Sequence, residues 1–396
     1  MTTLATLPTE LIELICECVA NYILEDWEFG DDPSEDFSGG LEKQRFRSRH
    51  LVGLPLVHSR WADPGQKALY RTIMLPNAGY YKALQESLSA FPHNGMYVRA
   101  ILIHWGARDY GGPDGYSYKV LGWFHEMEIQ QLIRLCPLLE RFHPGQDSPV
   151  IGQEGIAALG NIDSIREITW RPTEFQQYGD AVNRAQSSWR HLETIEILGY
   201  MRKDDFKYIQ PVSNRLRTLK IHDHQQDLPS HFESWSLDNL RELDLSTREL
   251  LHVADITRIF ETCGSNVVAL TIPYPAHTQL PILTTIFNCT PRLRHLKIVI
   301  RPVMWSEDWS ERLQIRNQFT LFRETTFDSW RLESLRSVRF EVHRKSPLPK
   351  SLDLAFSSFM RPQAFPNLRK LLIVERDVDG EMQVTNMMNQ EIEYSA

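Results

Sequence analysis

Five cysteines in 396 residues are too few for a disulfide framework, and the odd number fits a reducing compartment. No apolar run approaches the ~18 residues that a membrane-spanning helix needs. No secretory leader is expected: Met1 to Leu7 carries no basic residue, and the apolar stretch behind it is broken by Glu10, Glu13 and Glu17. These absences predict an intracellular protein, cytoplasmic or nuclear. Catalytic signatures are missing too. No phosphate-binding glycine loop, nucleophile elbow or zinc-helix motif occurs, and His125-Glu126 is followed by Ile129 where a second His would be needed. His222-Asp223-His224 has no third metal ligand that can be named, so the pair reads as surface. The sequence therefore predicts no enzyme, no cofactor and no metal centre.

Excess charge of one sign is confined to the ends. Residues 1–50 carry a net −7 and residues 375–396 a net −5, which leaves +4 spread thinly over the middle of a chain of net charge −8. Nucleic acid normally demands a clustered basic stripe, and an anionic membrane surface demands a basic amphipathic face. Neither partner is expected.

What the sequence does have is a repeat. Leu216-Arg-Thr-Leu219-Lys-Ile221 recurs as Leu240/Leu243/Leu245, Leu293/Leu296/Ile298 and Leu368/Leu371/Ile373. Looser copies begin at Val98, Leu139, Ile165, Leu192, Val267 and Leu335. From 139 to 293 the steps are 26, 27, 24, 24, 27 and 26 residues, followed by one of 42. Alternating apolar residues face one side of a strand, and Ile129/Leu132/Ile133/Cys136 and Ile256/Ile259/Phe260/Cys263 have helical spacing before the strands. Leu280 to Phe287 reads as a third such helix. One strand and one helix cannot bury their apolar faces alone, so units must stack in parallel.

The pattern resembles the leucine-rich repeat. It departs from the best-known form, because His224, Arg248 and Arg301 occupy the ninth position, where Asn or Cys would form a polar ladder. The turns after the strands are expected to be irregular. Cys136, Cys263 and Cys289 share a register just before their strands and read as small buried plugs.

The first 75 residues are off this period. Leu7-Pro8-Thr9-Glu10-Leu11-Ile12 opens a helix that runs on through Leu14, Ile15 and Cys18, with Pro8 and Glu10 suited to its first turn. Leu51-Val52-Gly53-Leu54-Pro55-Leu56-Val57-His58-Ser59-Arg60-Trp61 follows, then Ala68-Leu69-Tyr70-Arg71-Thr72-Ile73. These segments resemble the F-box, and the last is similar to the ending of many fungal F-box proteins.

The fold class is thus α/β: a three-helix F-box over residues 1–75 with an acidic, Gly- and Pro-containing insertion at about 25–46, a divergent leucine-rich-repeat solenoid over 76–376, and a loose acidic tail over 377–396. The resemblance implies a substrate receptor of a cullin–RING ubiquitin ligase that docks a Skp-type adaptor and, through it, the cullin. Adaptor-facing positions would be Leu7, Pro8, Leu11, Ile12, Ile15, Leu51, Leu54, Leu56, Val57, Trp61, Leu69 and Tyr70, some of which must instead form the motif's own core. An unidentified target protein would lie on the outward strand positions Thr194, Glu196, Thr218, Lys220, His222, Glu242, Asp244, His295, Lys297 and Arg339, a mixed polar surface suited to protein rather than to a small metabolite. Aromatics between the strands at 98 and 139, such as Trp105 and Trp123, form a rival surface. The alternative is a repeat scaffold, attached to no ligase, whose opening helices are only a cap.

Overall fold

Leucine spacing becomes strand register. A computed structural model describes residues 7–16, 18, 59–75, 78–103, 126–144, 151–199, 203–222, 233, 235–245, 253–273, 281–300, 332–343, 364–376 and 382–386. The chain divides into two compact units, Met1–Leu192 and Glu193–Ala396, a division that falls inside the repeat array.

In the first unit residues 9–16 are helical, and helix Ser59–Arg71 leads directly into strand β1 (Thr72–Leu75). Strands β2 (Ala100–Ile103), β3 (Arg141–Pro144) and β4 (Glu167–Trp170) follow in parallel register. The sheet therefore begins inside the stretch that resembles the F-box, and Arg71, just before β1, stands where Arg99 stands just before β2. Helices Glu126–Leu135, Gly152–Gly160 and Pro172–Ser188 pack one against the next. Ile12, Cys16, Trp61 and Ala68 form a small buried cluster at the start of the unit, with Leu7 and Leu69 packed against it. Residues 19–58, which hold the middle of the expected three-helix motif, lie outside the described residues.

In the second unit seven strands run parallel and in sequence order: β5 (Thr194–Leu198), β6 (Thr218–His222), β7 (Glu242–Asp244), β8 (Ala269–Pro273), β9 (His295–Ile300), β10 (Ser337–His343) and β11 (Lys370–Arg376). Leu219, Leu243, Leu270, Leu296, Val338 and Leu371 are consecutive partners across this sheet, each at most 2% exposed. Burying one such side chain contributes roughly 1.5–3 kcal/mol. Helix Val253–Cys263 packs on helix Pro281–Cys289, close to the spans the spacing predicts. Strand β12 (Met382–Asn386) pairs antiparallel with β11, so the expectation of a loose tail from 377 does not hold for these residues.

Polar ladders exist, but before the strands rather than after them. Asn239, Asn266 and Asn367 stand one residue before a repeat core, and each donates from Nδ2 to a carbonyl of the preceding repeat, at Asn214, Asp238 and Glu333 (2.7–2.9 Å). Ser164 and Ser334 at the same position donate to the carbonyls of Leu139 and Leu293, each at 2.8 Å. At these five strand entries a short side chain just ahead of the strand gives a carbonyl of the preceding repeat a fixed donor, tying one turn to the next.

One buried carboxylate secures the end of the first unit. Glu174, 0% exposed, accepts the Arg171 amide at 3.0 Å and the Ile151 amide at 3.4 Å, with the Arg171 guanidinium at 2.7 Å. Arg171 and Thr169, which alternate with the core residues Ile168 and Trp170, are also buried, Arg171 by this pairing and Thr169 beside His143 (2.7 Å).

Repeats approach most closely through glycine. Gly95 and Gly264 each stand three residues ahead of a repeat core, at Val98 and Val267. A Cβ on Gly264 would lie 2.7 Å from the Cys289 carbonyl oxygen, and one on Gly95 would collide with the carbonyl of Leu135, the equivalent position. Backbone cannot yield as a side-chain tip can. Gly264→Ala is therefore expected to cost about 1–3 kcal/mol of stability, read as a lowered thermal midpoint; an unchanged midpoint would mean that the helix ends slide at no cost.

Candidate functional site

Alternate residues of a strand point to opposite faces, so the β5–β11 register that buries the leucines also builds a polar face. One row across it reads Glu196, Lys220, Asp244, Thr271, Lys297, Arg339, Leu372. The row before it reads Thr194, Thr218, Glu242, Ala269, His295, Ser337, Lys370. All ten residues read from the sequence as a target surface lie on this one face of the second unit. Those on β5–β7 alternate in sign, whereas those on β9–β10 are basic.

Two ion-pair groups organise the face. His222 Nε2 lies 3.0 Å from Glu196 Oε1, the two side chains being 22% and 16% exposed. Burial opposes charge on His222, but the hydrogen bond to Glu196 and the negative charges of Glu196 and Asp244 outweigh both burial and the nearby Lys220, and the imidazole pKa is raised. Lys297 Nζ is 2.8 Å from Glu341 Oε2, and Arg339 Nη2 is 3.6 Å from the same oxygen. The Glu341 side chain is 0% exposed, so these cations stabilise a carboxylate that burial alone would disfavour. Alternation along the strand carries no sign of this burial, since Glu341 occupies an outward position.

The other predicted site lies at the head of the first unit. On helix 9–16, Ile12 and Cys16 are buried, while Leu11 (45%), Leu14 (54%) and Ile15 (37%) are exposed, as is Cys18 beyond it. Spacing of i, i+3, i+4 and i+7 places the exposed set on one stripe, and Ile12 and Cys16 share another. Leu14, the most exposed of them, is absent from the positions the F-box resemblance implies, although it shares the stripe of Leu11 and Ile15, which are among them. Pro8 is exposed, Leu7, Leu69 and Tyr70 are half-buried, and Ile12 and Trp61 belong to the chain's own core. The Tyr70 hydroxyl lies 2.8 Å from the Ser87 hydroxyl. Leu51, Leu54, Leu56 and Val57 lie outside the described residues, as do the aromatics Trp105 and Trp123. Beside the stripe is a cleft of about 680 Å³ lined by Glu10, Glu13, Leu14, Lys67, Met96 and Tyr97, among others. Lys67 pairs there with Asp63 at 2.7 Å and Glu13 at 3.6 Å, and Tyr97 donates to Asp63 at 3.1 Å.

The cysteines offer little chemistry. Cys136 and Cys263 are buried plugs, and burial pushes both thiols up to about 12, far from the thiolate that a nucleophile requires. Cys289 is half-buried, less enclosed than its shared register predicts. Among the described residues, no group of three or more His, Cys, Asp or Glu could hold a metal ion, and no helix is long and apolar enough to cross a membrane.

No protein-family model matches the chain, and no curated protein matches it. Solved structures resemble it weakly. The TLR13–ssRNA13 complex aligns at 14% identity with a TM-score of 0.36, over 62% of this chain, which spans only 30% of that one. The Rad7–Elc1 complex of yeast aligns at 11% identity over 84% of this chain and 90% of the other, with a TM-score of 0.41. A Bacteroides fragilis protein aligns at 10% identity over 68% and 67%, with a TM-score of 0.32. The described residues form α/β units with parallel, in-register strands, the arrangement of a leucine-rich-repeat-like stack.

The His222–Glu196 pair makes the second unit pH-sensitive. Because the folded pKa of His222 is raised, the pair's contribution is fully present below the unfolded value of ~6.5 and is lost as pH rises through the folded value. Thermal midpoints of wild type and His222→Gln should therefore differ most below pH ~6.5 and converge above the folded pKa, and Glu196→Gln should remove the same dependence. A gap that does not vary with pH would overturn the assignment.

Proposed function

We propose that this chain is a non-catalytic substrate receptor of a cullin–RING ubiquitin ligase, its opening helices docking a Skp-type adaptor and its polar sheet face holding a target protein. The exposed stripe Leu11, Leu14 and Ile15 carries the reading, on a helix whose other stripe is already packed against Trp61. Leucine and isoleucine grouped on one exposed stripe mark an interaction surface, and here they lie in the segment that resembles the F-box. The receptor needs no nucleophile. Holding the target beside a ubiquitin-charged enzyme raises its effective concentration, which is how proximity accelerates transfer. An extended polar face suits a protein partner, because small ligands favour concave apolar pockets.

A repeat scaffold with a helical cap is the second reading. It is favoured by the direct passage from helix Ser59–Arg71 into β1, which makes the opening helices continuous with the array.

Pull-down with purified Skp-type adaptor separates the two. Leu11→Arg/Ile15→Arg changes exposed positions, so the thermal midpoint should hold while adaptor affinity falls at least ~10-fold. A wild-type chain that fails to bind, or a double variant that binds equally well, would leave the scaffold reading in its place.

A further inference from the structure

Each of strands β6 to β11 is entered through one residue whose main chain is locked to its neighbours. The amide of Arg217 donates to the Glu193 carbonyl, Arg241 to Arg217, Val268 to Arg241, Arg294 to Val268, Arg336 to Arg294 and Arg369 to Arg336, all at 2.7–2.9 Å. Adjacent strands lie about 4.8 Å apart, so Arg294, Arg336 and Arg369, on three neighbouring strands, form a column along the entry edge. All three are exposed.

The early and late parts of this edge differ in how their charge is met. Arg217 has Glu193 at 3.8 Å, and Arg241 donates to the Asn266 carbonyl at 3.4 Å. At the late end, no carboxylate among the described residues pairs with Arg294, Arg336, Arg369 or Lys370. Lys297 and Arg339 stand behind them, 2.8 Å and 3.6 Å from the buried Glu341 carboxylate. Glu333, in the turn before β10, is the nearby exposed acid. His295 registers the resulting field: burial lowers its pKa, and Arg294, Arg336 and Lys370 lower it further.

We infer that the β9–β11 entry edge, centred on Arg294, Arg336 and Arg369 with Lys370 beside them, docks a phosphorylated peptide segment of a partner protein. Guanidinium groups present paired N–H donors that match phosphate oxygens, which is why an arginine column favours phosphate over a lone carboxylate. Nucleic acid fits less well. The outward positions of β9–β11 carry no Phe, Tyr or Trp on which bases could stack. The inference refines the target-holding half of the receptor reading and is tested without the adaptor, so its failure leaves the adaptor half untouched.

The full-length chain is titrated by fluorescence polarisation against a labelled Gly/Ser peptide of about ten residues carrying two phosphoserines, its unphosphorylated twin, and an oligo-deoxythymidine of similar charge. The phosphopeptide should bind at least ~10-fold tighter than the twin, and Arg294→Gln/Arg336→Gln/Arg369→Gln should abolish that difference with the thermal midpoint held. Arg217→Gln, at the acid-matched end, should leave affinity within about twofold. Equal binding of the two peptides, tighter binding of the oligonucleotide, or an equal loss on Arg217→Gln would each overturn the proposal.

Discussion

One shared hydrogen-bond acceptor sets the register on which everything else rests. At the entry to each strand a single carbonyl accepts two successive amides of the next repeat. Arg217 accepts Arg241 and Glu242, Val268 accepts Arg294 and His295, and Arg336 accepts Arg369 and Lys370 (2.8–3.2 Å). The first unit does the same, with Arg99 accepting Glu140 and Arg141. A one-residue slip would break both bonds and turn a strand's leucines toward water. Register is therefore fixed twice, by the backbone at the entry and by burial along the strand. The polar face inherits its order from that constraint, because a row such as Glu196, Lys220 and Asp244 is aligned only while the strands are.

Legibility in the sequence followed the period of the side chains. Leu219, Leu243 and Leu296 declare their strands because alternate burial leaves a two-residue pattern, and the helix ending at Cys263 declares itself by its 3.6-residue pattern. What stayed hidden was the destination of polar groups. Asn239, Asn266 and Asn367 look like turn residues until their carbonyl partners are known, and the ninth position, where a ladder would be expected, holds His224, Arg248 and Arg301. Glu341 alternates correctly for an outward residue and is nonetheless buried, because Lys297 on the adjacent strand permits it. In helix 9–16 both stripes are apolar, so periodicity alone could not say that Ile12 would turn inward and Leu11 outward.

Charge is distributed along the second unit in a way its near-neutral sum conceals. Near β5–β7 the acids Glu193, Glu196 and Asp244 answer Arg217, His222 and Lys220. Near β9–β11 the one carboxylate on the open rows is buried, and its cations face outward beside the arginine column. Polarity along a repeat array arises at little thermodynamic cost, because exposed pairs contribute ~0–1 kcal/mol and the stack does not depend on them.

Strands β2 and β3 belong to repeats whose cores begin 41 residues apart, and β9 and β10 to repeats 42 apart, yet both pairs keep the alignment of their shorter neighbours. Closing a longer excursion costs only ~(3/2)RT ln of the length ratio, a few tenths of a kcal/mol here. Glycine contacts and doubled acceptors, by contrast, tolerate no extra atom. An architecture of this kind acquires novelty asymmetrically: descendants can splice new material into the return path while the threshold of every strand stays frozen.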